Sequence, residues 1–160
     1  MRLSAIAALF AILLAGCGQG PEHYVGVLDE LSVPADWQLV YLVVDAPGAP
    51  DVSGDPGVPR KLEDCALISC PWVARYYLID GQPIDIYPTA TALLTDAGFK
   101  VTSELTAGCD RPETGLGCGV KGALDGDEVW VSIFHPGEDP AGLGIADRDK
   151  SMVRVLAQKE

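Results

Sequence analysis

The chain has 160 residues, 23 acidic and 11 basic, for a formal net charge of −12. That excess favours solubility and argues against nucleic acid or an anionic lipid surface as a partner. An apolar fraction of 48% is enough for one packed core.

The first sixteen residues read as a targeting segment. Arg2 supplies a positive start, and Leu3 to Leu14 form an apolar run broken only by Ser4. The small residues Ala15 and Gly16 then lead to Cys17. This order of charge, apolar stretch and small residues is that of an export signal. The run is twelve residues long, well short of the roughly 20 needed to span a bilayer. Leu14-Ala15-Gly16-Cys17 resembles the lipobox of bacterial lipoprotein precursors. The resemblance implies cleavage between Gly16 and Cys17 and a thioether-linked diacylglycerol on the Cys17 sulfur. A thiolate is the nucleophile such a transfer requires, and two acyl chains suffice for stable anchoring. The competing reading is an ordinary cleaved signal with a chance Cys after it. With a lipobox the chain divides into a signal peptide over 1–16, a lipidated tether over 17–21 and one extracytoplasmic domain over 22–160. The expected partner is then the membrane, reached through the anchor on its outer face. Loss of Arg2 with the signal takes the formal charge to −13.

Beyond the tether, Tyr24, Val27, Leu28 and Leu31 recur with helical spacing, and Pro34 closes that stretch. Trp37 to Val44 is nearly continuous in apolar, β-branched and aromatic residues and reads as a central strand. Ala46 to Arg60 holds four prolines and three glycines in fifteen residues, so a long surface loop is expected there. Trp72 to Ile79 reads as a second strand. Pro88 is placed to open a helix, where its missing N–H is harmless. Ala90, Leu93, Leu94 and Ala97 form that helix's apolar stripe, and Gly98 is its left-handed cap. Phe99 to Leu105 alternates as a half-buried strand. Gly117–Leu124 and Glu128–Phe134 flank Asp125-Gly126, a hairpin turn signal. Ser151 to Ala157 is the last strand, after a polar connection over 137–149. The pattern predicts an α+β fold: a two-layer sandwich with a mainly antiparallel sheet of about five to six strands, one main helix and a short N-terminal helix.

With Cys17 assigned to lipid, Cys65, Cys70, Cys109 and Cys118 remain, an even number in an exported domain. Of three pairings, Cys65–Cys70 with Cys109–Cys118 is favoured because each pair lies in a turn-like segment. The crossed arrangement Cys65–Cys109 with Cys70–Cys118 is the competitor. Neither spacing is C-x-x-C and only two histidines are present, so no metal or cofactor is expected.

No hydrolase, phosphate-loop or metalloprotease signature occurs. Gly115 to Gly119 is glycine-rich, but no Lys-Ser/Thr closes it, so it reads as turn geometry. His135 near Glu138 and Asp139 has the makings of a general base, although it lacks a nucleophile and a surface position explains it as well. Asp125, Asp127 and Glu128 read as a solvated turn rather than a calcium site. Trp37, Tyr41, Trp72, Tyr76, Tyr77 and Trp130 fit either a core or a ligand groove. The expected role is a binding or interaction module of the cell envelope, without catalytic residues, for a small ligand or another envelope protein. The alternative is an envelope hydrolase using His135 and nearby carboxylates.

Overall fold

The computed structural model describes residues 19–45, 60–63, 71–111, 117–140 and 142–160. Residues 1–18, with Cys17, lie outside the described residues, as do most of the 46–60 loop and the pair Cys65 and Cys70. The elements run α1 (Pro21–Asp29), β1 (Gln38–Asp45), β2 (Arg60–Glu63), β3 (Trp72–Asp80), α2 (Pro83–Asp96), β4 (Lys100–Leu105), β5 (Cys118–Leu124), β6 (Asp127–Phe134) and β7 (Lys150–Lys159).

The strands form one open sheet in the order β2-β1-β3-β7-β6-β5-β4. Every pairing between neighbours is antiparallel except β1 with β2. The α+β class and the mainly antiparallel sheet agree with the sequence pattern. At seven strands, however, the sheet is larger than the five or six expected. The added strand, β2, begins at Arg60, where proline and glycine punctuation had suggested a loop.

Both helices pack on one face of the sheet. Tyr24, Leu28, Ala90, Leu93 and Leu94 share a buried core with Val73, Tyr77, Val120, Val129, Val131, Ile133, Val153, Val155 and Ala157. These strand residues alternate as the pleat requires, so β3, β6 and β7 give every second side chain to the helices. α1 starts with Pro21 in its first turn beside the acidic Glu22, both suited to a helix N-terminus. It ends at Asp29, sooner than its apolar stripe suggests, and Leu31 is buried just beyond it.

The main helix begins at Pro83, not Pro88. Either proline suits a first turn, but Pro83 follows the extended Gln82, while Pro88 lies inside the helix. The earlier start brings Ile86 into the core. Its end is as read. Gly98 has φ +87°, the Gly98 N–H donates to the Thr95 carbonyl, and the Phe99 N–H donates to the Leu94 carbonyl. This pair of reversed bonds closes the last turn and folds Phe99 onto the core.

β4 also departs from expectation. It is the sheet edge, and its residues are exposed apart from half-buried Val101. In the β5–β6 hairpin, Asp125 and Gly126 both have positive φ, 53° and 90°, as a two-residue turn of the favoured hand requires.

Among the described residues, the second face of the sheet is only partly covered. Leu143 and Ile145, from the connection before β7, pack with Val43, Ala74, Tyr76 and Met152 over β1, β3 and β7. Asp139 holds that connection by accepting hydrogen bonds from the Leu143 and Gly144 N–H groups, at 3.0 and 2.7 Å.

Candidate functional site

Beside that cover, over β4, β5, β6 and β7, the second face opens into a cavity of about 370 Å³. This is the scale of a small-molecule pocket, roughly 300–1,000 Å³. Its side chains arrive by strand alternation. Trp130, Ser132 and Phe134 of β6 point away from the core formed by Val129, Val131 and Ile133. Arg154 stands opposite Ser132 in register on β7, between the buried Val153 and Val155. Lys121 of β5 pairs with Trp130, and Ser103 and Leu105 of β4 complete the wall.

Gly119 belongs to the floor. A Cβ there would collide with the Val131 carbonyl and sit 3.1 Å from the Ser132 Cα, so the close approach of β5 to β6 needs glycine. The disulfide Cys109–Cys118, with Cα atoms 4.7 Å apart, fixes one end of the cavity. It is one of the two pairings favoured from sequence.

The polar groups are unevenly paired. Glu128, 7% exposed, accepts from Lys121 Nζ at 2.6 Å, Gln158 Nε2 at 2.9 Å and Trp130 Nε1. Burial alone would raise its pKa. The hydrogen bonds from Lys121, Trp130 and Gln158 outweigh that and hold the carboxyl below the ordinary glutamate range. Lys121 also lies over the Trp130 ring, 4.7 Å from its centre. Arg154 has less. Its Nη2 donates to Ser132 Oγ at 3.1 Å and its guanidinium lies 5.8 Å from the Phe134 ring centre. Its Nε is buried and finds no partner among the described residues.

The sequence candidates fall differently. His135 Nε2 donates to the Gly108 carbonyl at 2.7 Å, and Glu138 accepts from the His135 backbone N–H at 2.8 Å. His135 and Glu138 line the cavity, but the imidazole pairs with no carboxylate among the described residues. Asp139 is occupied by its own loop.

The acidic cluster is not a solvated turn. Asp127 and Glu128 are both buried, on opposite faces of β6, and only Asp125 is exposed. Asp127 accepts from His23 Nε2 of α1 at 2.8 Å. Burial, then the Asp127 charge, raises the Tyr24 phenol above its ordinary pKa. This pair borders a second hollow lined by Gln19, Glu22, Glu30, Asp125 and Asp127. Among the described residues no three His, Cys, Asp or Glu side chains are placed to hold a metal ion.

Of the six aromatics, Trp37 and Tyr77 lie in the helix-side core with ring centres 5.8 Å apart. Tyr41, Trp72 and Tyr76 belong to the cluster on the second face. Trp130 alone of the six lines the cavity. Arg154, Ser132 and Ser103 did not stand out in the sequence. The available signal was a single arginine inside the apolar run Met152-Val153-Arg154-Val155-Leu156. No protein-family model matches the chain, and neither a curated protein nor a solved structure matches it. The geometry alone therefore carries the functional reading.

Proposed function

We propose that this chain is a lipid-anchored binding module of the bacterial cell envelope, tethered through Cys17, that takes a small ligand on its second sheet face. In this reading it is a two-layer sandwich, helices on one face and a ligand site on the other. The cavity carries the proposal: a half-open sheet face with an apolar rim, a few convergent polar groups and an incompletely satisfied arginine. Concave, largely apolar sites with few polar groups are the usual form of small-molecule sites. The hydrolase alternative has less behind it: His135 Nε2 donates to the Gly108 carbonyl, and no carboxylate among the described residues pairs with the imidazole.

Masses of the natively purified lipidated protein test the reading. Ser103 lies on the exposed edge strand and lines the cavity, so Ser103→Trp should block the mouth without disturbing the core. Wild type is expected to carry a small molecule that denaturation releases, and Ser103→Trp to be bare. If both are bare, and no compound in a broad metabolite panel raises the melting temperature of wild type, the reading is wrong.

A further inference from the structure

Building on that reading, we infer that the cavity takes an organic monocarboxylate, with Arg154 receiving the carboxylate and Leu105, Trp130 and Phe134 holding its hydrocarbon part. The pairing of the cations motivates this. Arg75 is bonded to Asp29, Lys121 to Glu128, and Lys150 lies 3.7 Å from Asp80. Acidic residues outnumber basic ones 23 to 11, so carboxylates are abundant. Arg154 nonetheless meets no carboxylate among the described residues, only the Ser132 hydroxyl and the Phe134 ring. Its Nε is buried and has no acceptor among the described residues. Nε is too enclosed for a ligand oxygen to reach, so a ligand is met by the terminal nitrogens of the guanidinium, of which only Nη2 is hydrogen-bonded among the described residues.

A guanidinium presents a planar fork of donors that matches a carboxylate through two parallel bonds. Ser132 Oγ, already beside Nη2, adds a hydroxyl to the same spot. A monoanion fits better than a dianion, because Glu138 lines the same cavity and Lys121 is already neutralised by Glu128. The apolar requirement comes from the rim. Leu105 is 51% exposed, one of two large apolar side chains so exposed among the described residues, and it lies on the cavity wall with Trp130 and Phe134.

Hexanoate, its neutral isostere hexanamide, hexylamine and inorganic phosphate serve as probes. Each is titrated against the full lipidated protein in nanodiscs by ligand-observed NMR, with empty nanodiscs as the blank. Wild type is expected to bind hexanoate at least about tenfold more tightly than hexanamide, the scale of one charge-assisted hydrogen bond. Arg154→Gln should abolish that difference and Arg154→Lys should retain part of it. Comparison of the two ligands on wild type needs no variant, so a folding defect in Arg154→Gln does not obscure it. Equal binding of hexanamide and hexanoate overturns the inference, and so does a folded Arg154→Gln that keeps the preference. Phosphate displacing hexanoate at equal concentration overturns it in favour of a general anion site. If hexanamide or hexylamine binds and hexanoate does not, the carboxylate is wrong while the cavity stands as a site. If no probe binds and Ser103→Trp behaves as wild type, the cavity reading fails with it.

Discussion

A carboxylate removed from water ordinarily titrates upward. Glu128 goes the other way because three donors converge on it, from Lys121, Trp130 and Gln158. Its acidity is therefore coupled to folding. A depressed folded-state value contributes stability above the ordinary glutamate range, and that contribution disappears as the pH falls through the lowered value. Glu128→Gln should lose about 1.5–3 kcal/mol near neutral pH, the worth of hydrogen bonds to a charged group. The deficit should shrink as the pH drops below the ordinary glutamate value of 4.5. Urea denaturation of both proteins between neutral pH and pH 3 measures this. A deficit independent of pH would mean that Glu128 matters through its shape and not its charge. Little of this was legible in the sequence. Asp125, Asp127 and Glu128 look alike beside a turn dipeptide, and only the register of β6 puts Asp127 against α1 and Glu128 against Lys121.

At the scale of elements, what could be read ahead was whatever local chemistry determines. Asp125-Gly126 and Gly98 require backbone that few residues adopt, and both lie where their turn and cap were expected. Val129, Val131 and Ile133 in β6 and Val153 and Val155 in β7 alternate in the sequence, and all five lie in the helix-side core. Properties set by neighbours distant in sequence were not legible. β4 alternates as a half-buried strand should, but it is last in the sheet, and every residue of it except half-buried Val101 is exposed. Arg154 looked like an ordinary outward residue of β7, and its surroundings come from β6 across the sheet. The Cys109–Cys118 bond works at this scale too, since it ties the chain after β4 to the first residue of β5 beside the cavity. Closing a ring of about ten residues constrains the unfolded chain by about 2–3 kcal/mol. The double variant Cys109→Ala/Cys118→Ala should lose stability on that scale in denaturant melts. Its affinity for any cavity ligand should fall as well, because Cys118 and Gly119 form the floor. Unchanged stability would show that core packing alone holds these segments.

For the whole molecule, the proposed anchor and the proposed ligand site have opposite addresses. Three residues separate Cys17 from Pro21, so extended backbone puts the start of α1 at most about 14 Å from the Cα of the proposed anchor residue. His23, in the first turn of α1, is bonded to Asp127 at the start of β6. β6 then runs eight residues to Phe134, roughly 24 Å along an antiparallel strand, and the cavity lies towards that far end, with Phe134 and His135 in its wall. A chain anchored at Cys17 would hold the hairpin turn at Asp125-Gly126 near the bilayer and turn the ligand site outward. A fluorophore at Asp125→Cys should therefore be quenched by headgroup-labelled lipid in nanodiscs far more than one at Glu138→Cys, since both positions are exposed. Cys17→Ala supplies the control. It should lose lipid labelling and membrane retention, and with them the difference between the two positions. Equal quenching in the anchored protein would mean that the domain lies flat or tumbles on its tether. The site would then be reached from the bilayer surface as readily as from solution, and a ligand delivered through the membrane would become the better fit to the apolar rim at Leu105.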